Sequence, residues 1–287
     1  YPVLAIVLGA VGGVLHGLDL VQGYDSADLP TGAPWLTMLY VLSAIAVVLC
    51  VAAAFTYRKT SDRYKAFESY LTGGGTRHKT VAVLSGELFI VFGLAGLYYT
   101  MTHIMEMTMF DRVTLIPLYL LAILSCVAFM RLGGSAVHGT VTEDDANMIF
   151  IPIAWAALDL VNTFKENGNV PMEGKFVFEL LAAGGLLCAL HAYARFLFST
   201  PRPRLLAGFA GIGTVFGLIG GIGLIIQYVM TDLSDLQRVP RAGCYVICAL
   251  WLAYQLSRMA LSDEPEGPKL PAYGIAFWQF NGLYWKF

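Results

Sequence analysis

The chain has 287 residues, of which 57% are hydrophobic and only 13% charged, with 18 basic residues against 20 acidic ones. Soluble domains carry about 25% charged residues, so an ordinary water-soluble fold is excluded. Nucleic-acid binding is excluded as well, because no basic surface of any size stands apart from the short connections between apolar runs.

In chain order, eight apolar runs occupy about 3–23, 34–56, 80–102, 113–133, 148–164, 175–199, 205–230 and 242–262. A hydrocarbon core about 30 Å thick needs roughly 20 helical residues, a length that most of these runs reach. The expected fold is all-α: a polytopic membrane bundle of eight transmembrane helices in one domain, 1–262, followed by a tail, 263–287. No Lys or Arg precedes the first run, so it reads as a retained span and not as a cleaved signal peptide. It carries Gly9, Gly13 and Gly17 at four-residue spacing, and the seventh span carries Gly213, Gly217 and Gly221 with Gly220 and Gly223 beside them. Small residues at that spacing let helices approach closely in lipid. Both helices are expected to be inner, closely packed members, and their glycine faces are candidate surfaces for a membrane partner or a homo-oligomer.

The connection 57–79 places Tyr57, Tyr64, Phe67 and Leu71 at roughly helical spacing among charges, which predicts a short interfacial helix stopped by Gly73, Gly74 and Gly75. Pro117 and Pro152 fall within about a turn of the expected starts of the fourth and fifth spans, where proline costs little. Cys50, Cys126, Cys188, Cys244 and Cys248 all lie in spans and read as small core residues without disulfides. The tail packs Tyr273, Phe277, Trp278, Phe280, Tyr284, Trp285 and Phe287 into a short stretch. Aromatics favour the headgroup zone, so an interfacial segment is expected there, with docking to a partner subunit as the alternative.

Basic residues set the orientation. Arg58, Lys59, Arg63, Lys65, Arg77, Lys79, Arg131, Arg195, Arg202, Arg204, Arg258, Lys269 and Lys286 fall on one side; Arg112, Lys165, Lys175, Arg238 and Arg241 fall on the other. The positive-inside rule assigns the first group, and with it both termini, to the cytoplasm. The first span ends LDLVQGY and the fifth LDLVNTF, a faint echo of a four-plus-four duplication.

The stretch NTFKENGNVP, followed by FELLAAGGLLCALHAYARFLFSTPRPR, resembles a family of multi-pass membrane proteins from Firmicutes, clostridial genomes above all. The segment GLDLVQGYDSADLPTGAP is similar to that family's first outer loop. The resemblance stops near residue 265. It implies a bacterial plasma-membrane location and a helical fold, and it brings no established activity.

An ionisable side chain inside a bilayer costs at least a few kcal/mol, so each one needs a reason. His16 and Asp19, His103 and Glu106, Asp159, and Glu179 all fall in the outer parts of their spans. Together they are the candidate lining of an outward-facing polar cavity that binds a small molecule or ion. Glu87, His191 and Arg195 lie towards the cytoplasm and form a candidate ion pair or proton relay. The pairs His16/Asp19 and His103/Glu106 have a spacing that metals can use, but too few histidines accompany them, and no metal or cofactor is assigned. No HExxH, Ser-His-Asp order or phosphate loop is present. The favoured reading is a non-enzymatic binding or transport protein. The alternatives are an accessory subunit of a membrane complex and a metal-dependent intramembrane hydrolase.

Overall fold

The computed structural model describes residues 1–24, 31–57, 71, 75–167, 173–198, 202–231 and 237–261, with only the backbone of Asn167, Glu173, Gly174, Lys175 and Leu261. The expected interfacial helix in 57–79 falls largely outside these residues, and the aromatic tail does so completely.

Among the described residues the long helices are α1 (Pro2–Gln22), α2 (Trp35–Thr56), α3 (Gly75–Thr102) and α4 (Met109–His138), followed by the short α5 (Glu143–Asn147). Four further long helices are α6 (Phe150–Asn167), α7 (Glu173–Leu197), α8 (Pro203–Met230) and α9 (Arg238–Leu261). Capping residues outside the apolar runs lengthen some of them. Thr108 accepts from the Asp111 amide at 3.2 Å and Asp111 accepts in return from the Thr108 amide at 3.3 Å, so α4 begins before its apolar run. It ends at Gly139, whose φ of 78° is the left-handed stop that glycine adopts without strain. This early start puts Pro117 inside α4 and not in its first turn. Pro152 does lie near the start of α6.

Neighbouring helices run in alternate directions and close into a ring. α3 packs on α4, α4 on α6, α6 on α7, α7 on α8, α8 on α9, and α9 back on α3. α1 and α2 lie outside this ring; both pack on α8 and on each other. The glycine faces are used within the chain. A Cβ at Gly13 or Gly17 of α1 would lie 2.6 Å from Ile222 or Ile226 of α8, so these two helices run parallel in close contact. On its other sides α8 brings Gly213 against Ala189 and Gly185 of α7, and Gly221 against Val246 of α9. α8 is thus the inner helix. α1 is buried on one face only and leaves Val3, Val7, Val11 and Val14 exposed.

Among the described residues seven helices are long and apolar enough to cross a membrane. α9, with 24 residues, is the long helix outside that set. It carries Arg238, Arg241, Gln255 and Arg258, yet nearly all of it is covered by α8, α3, α1 and α7. A helix sheltered by protein does not need an apolar surface. The chain is therefore an all-helical, multi-pass membrane bundle.

Six large rings fill the middle of the helical ring. Tyr245 and Trp155 lie 6.3 Å apart, Trp155 and Phe89 5.2 Å, and Phe89 and Phe129 5.0 Å. Phe129 and Trp251 follow at 5.0 Å, and Trp251 and Tyr193 at 4.9 Å. Most of these pairs meet edge to face, the arrangement that the ring quadrupoles favour. Polar side chains lie on either side of this aromatic layer. The end of the bundle where α1, α3, α6 and α8 finish is called the far end below.

Candidate functional site

On α6, residues 159, 162, 163 and 166 share one helical stripe and turn it into the ring. Asp159, Asn162 and Thr163 are buried, and Glu166 is partly so. On α9, Arg238, Arg241 and Tyr245 form the facing stripe at the start of the helix, and α7 contributes Glu179 one turn into its described part.

These side chains meet at the far end. Arg241 donates from Nη1 and Nη2 to the two carboxylate oxygens of Glu166, at 2.8 and 2.9 Å. Its Nε lies 2.9 Å from Oδ1 of Asp159. The hydroxyl of Tyr245 donates to the other Asp159 oxygen. Arg238 donates to Oε1 of Glu179 at 3.1 Å, and the Tyr119 hydroxyl reaches the carbonyl of Gln237 at 3.3 Å. The Arg241 side chain is 4% exposed and that of Asp159 fully buried. A guanidinium suits this place, since its planar fork can serve two carboxylates at once while remaining charged.

The cluster is not fully satisfied. Among the described residues, Glu179 Oε2 and Asn162 Nδ2 are buried without a hydrogen-bond partner, and Asp159 Oδ1 and Arg241 Nε meet as an ion pair without a hydrogen bond. Among the described residues the cluster holds three carboxylates (Asp159, Glu166, Glu179) against two guanidiniums (Arg238, Arg241), with Glu166 and Arg238 partly exposed. A buried excess of negative charge is costly unless something positive shares the space.

Of the outer candidates, Asp159 and Glu179 are thus brought into one cluster. His16 and Asp19 stay together on α1. His16 is buried against the Phe178 ring at 5.3 Å and against Gly223, with neither ring nitrogen hydrogen-bonded. Asp19 is buried one turn further on, with Oδ2 unpartnered. His103 and Glu106 lie in the turn between α3 and α4. The His103 ring stacks on Tyr99 at 4.2 Å, with Nδ1 3.0 Å from the Tyr99 carbonyl, while Glu106 is exposed. Of the other group, Glu87 lies on the exposed face of α3, whereas His191 and Arg195 are on α7, across the ring.

The residues that complete the cluster, Arg241, Arg238, Glu166 and Tyr245, are not apparent from hydropathy. Arg241 sits just before an apolar run and counts as a connecting-loop charge. The signal lay in spacing: Arg238, Arg241 and Tyr245 on one face, opposite Asp159 and Glu166 seven residues apart. Among the described residues no three His, Cys, Asp or Glu side chains converge in a way that could hold a metal ion. No protein family, curated protein or solved structure matches the chain.

Proposed function

We propose that this chain is a multi-pass protein of a bacterial plasma membrane that binds, and passes on, a small cationic solute, down to a proton, at a site built on Asp159, Glu179, Arg238 and Arg241. The observation that carries this reading is the surplus of carboxylates among the described residues: Arg241 is shared by two of them while Glu179 keeps an oxygen with no described partner. The distribution of basic residues supports placing this end outside the cell.

The reading is tested on the full chain purified in mild detergent, by thermal unfolding in sodium, potassium and choline chloride across pH 5 to 8. The expected result is a melting temperature that rises with one small cation or on acidification, and a Glu179→Gln variant that loses this dependence. A melting temperature indifferent to all of these in the wild type would sink the proposal. Proteoliposomes carrying a pH dye then separate binding from passage.

A further inference from the structure

The turn that joins α3 to α4 is rich in sulfur. Four of the chain's ten methionines, Met101, Met105, Met107 and Met109, fall there within nine residues, with His103 among them. Turns are built by glycine, proline, asparagine, aspartate and serine, and methionine has no part in that chemistry. Met107 packs against the hydrophobic core. The other three are open: Met105 is 86% exposed, Met109 75% and Met101 47%.

The frame that carries them is held from within. Arg112 donates from Nε to the Met107 carbonyl at 3.1 Å and from Nη2 to that of Met105 at 3.2 Å. The Glu106 amide closes on the His103 carbonyl at 3.0 Å. His103 is held as well. Its Nδ1 lies 3.0 Å from the Tyr99 carbonyl, an acceptor only, so this nitrogen carries the ring proton. The Thr102 hydroxyl beside it has the Tyr98 and Tyr99 carbonyls to donate to. Nε2 keeps a free lone pair, and no hydrogen bond among the described residues uses it. An imidazole that donates one nitrogen to a backbone carbonyl and offers the other is oriented as metal-binding histidines are.

We propose that this turn binds one soft monovalent metal ion, Cu(I), through Nε2 of His103 and the thioethers of Met101, Met105 and Met109. Thioethers select Cu(I), and imidazole suits it too, whereas calcium and magnesium want oxygen and zinc wants more imidazole or thiolate than this turn offers. These ligands are neutral, and the exposed carboxylate of Glu106 offsets the single charge of the ion. Methionine's flexible, unbranched side chain can close on the ion without moving the backbone. The site uses no residue of the far-end cluster, whose oxygens suit harder cations.

The test uses the full chain in mild detergent, in a Cys188→Ser background because Cys188 is the exposed native thiol. Cu(I), kept reduced by ascorbate, is titrated against a chromogenic chelator. Ag(I) takes its place for spectra of chain labelled at the methionine methyls. One Cu(I) per chain is expected to be held against the chelator. Met105→Leu and Met109→Leu conserve volume at exposed positions and leave the fold intact. Each is expected to lower the affinity at least about tenfold, since loss of an outer-shell partner alone costs that much, and His103→Gln is expected to do the same. Ag(I) is expected to shift the methyls of Met101, Met105 and Met109, and to leave in place that of Met38, which is exposed on α2. Any of three results would overturn the proposal: no Cu(I) held, binding unchanged by the paired leucine substitutions or by His103→Gln, or a methyl shift at Met38 as large as at Met105. Displacement of the ion by equimolar Zn(II) would overturn it too, because thioethers hold zinc poorly.

Discussion

Arg241 is the residue on which the far-end cluster depends. Replacing it by Ala strands Asp159 and half-buried Glu166 without their cation. Breaking a buried pair from one side costs about 3–5 kcal/mol, so Arg241→Ala is expected to unfold well below the wild type in a detergent melt. Arg241→Lys keeps the charge beside Asp159 but cannot give Glu166 two parallel donors, and an intermediate loss is expected. Tyr245→Phe removes only the hydroxyl that Asp159 accepts from, worth about 1.5–3 kcal/mol for a bond to a charged acceptor. A double-mutant cycle of Tyr245→Phe with Asp159→Asn checks that these two act through one contact. Asp159 and Glu179 were legible as costly intramembrane acids in the sequence. Their arginine partners were not, because a basic residue at the edge of an apolar run looks the same whether it faces solvent or turns inward.

At the scale of elements, the glycines of α8 show what close approach demands. A Cβ at Gly213 would come within 2.9 Å of both the Ala189 methyl and the Gly185 carbonyl, and backbone there cannot yield cheaply. Gly213→Ala is therefore expected to destabilise by about 1–3 kcal/mol. Gly184→Ala, in the neighbouring helix with nothing within 4 Å, is expected to be neutral or stabilising by up to ~1 kcal/mol. Equal melting temperatures for the two variants would contradict the packing described. The four-residue spacing made close packing of the first and seventh spans legible. It did not reveal that each meets the other, or that α1 uses only one face. α9 marks the opposite limit: it carries Arg238, Arg241, Gln255 and Arg258, and the four helices around it do the work that apolar side chains do elsewhere.

For the whole molecule, hydropathy was enough to read an all-helical membrane bundle, because backbone groups in lipid must be paired within each segment. The ring order was not readable. Apolar helices of similar length are nearly interchangeable to lipid, and the order is decided by particular contacts such as Gly243 of α9 against Phe92 of α3. The orientation inferred from basic residues gives a whole-molecule prediction. In intact cells of a Cys188→Ser strain, Met105→Cys at the far end should react with an impermeant thiol reagent. Thr76→Cys at the opposite end should react only after the membrane is opened. The reverse pattern would invert the topology and place the ionic cluster inside.

The buried rings that run from Tyr245 of the far-end cluster towards the opposite end have an electrical consequence. A closely packed aromatic layer has a low dielectric constant, so part of a membrane voltage is expected to fall across it. Occupancy of the proposed cation site at Asp159 and Glu179 should then depend less on voltage than passage beyond it. A charge carried past Trp155 and Phe89 would meet that part of the field, up to about 2.3 kcal/mol for each 100 mV. The rings therefore act as the dielectric of a capacitor, with one plate at the far-end cluster.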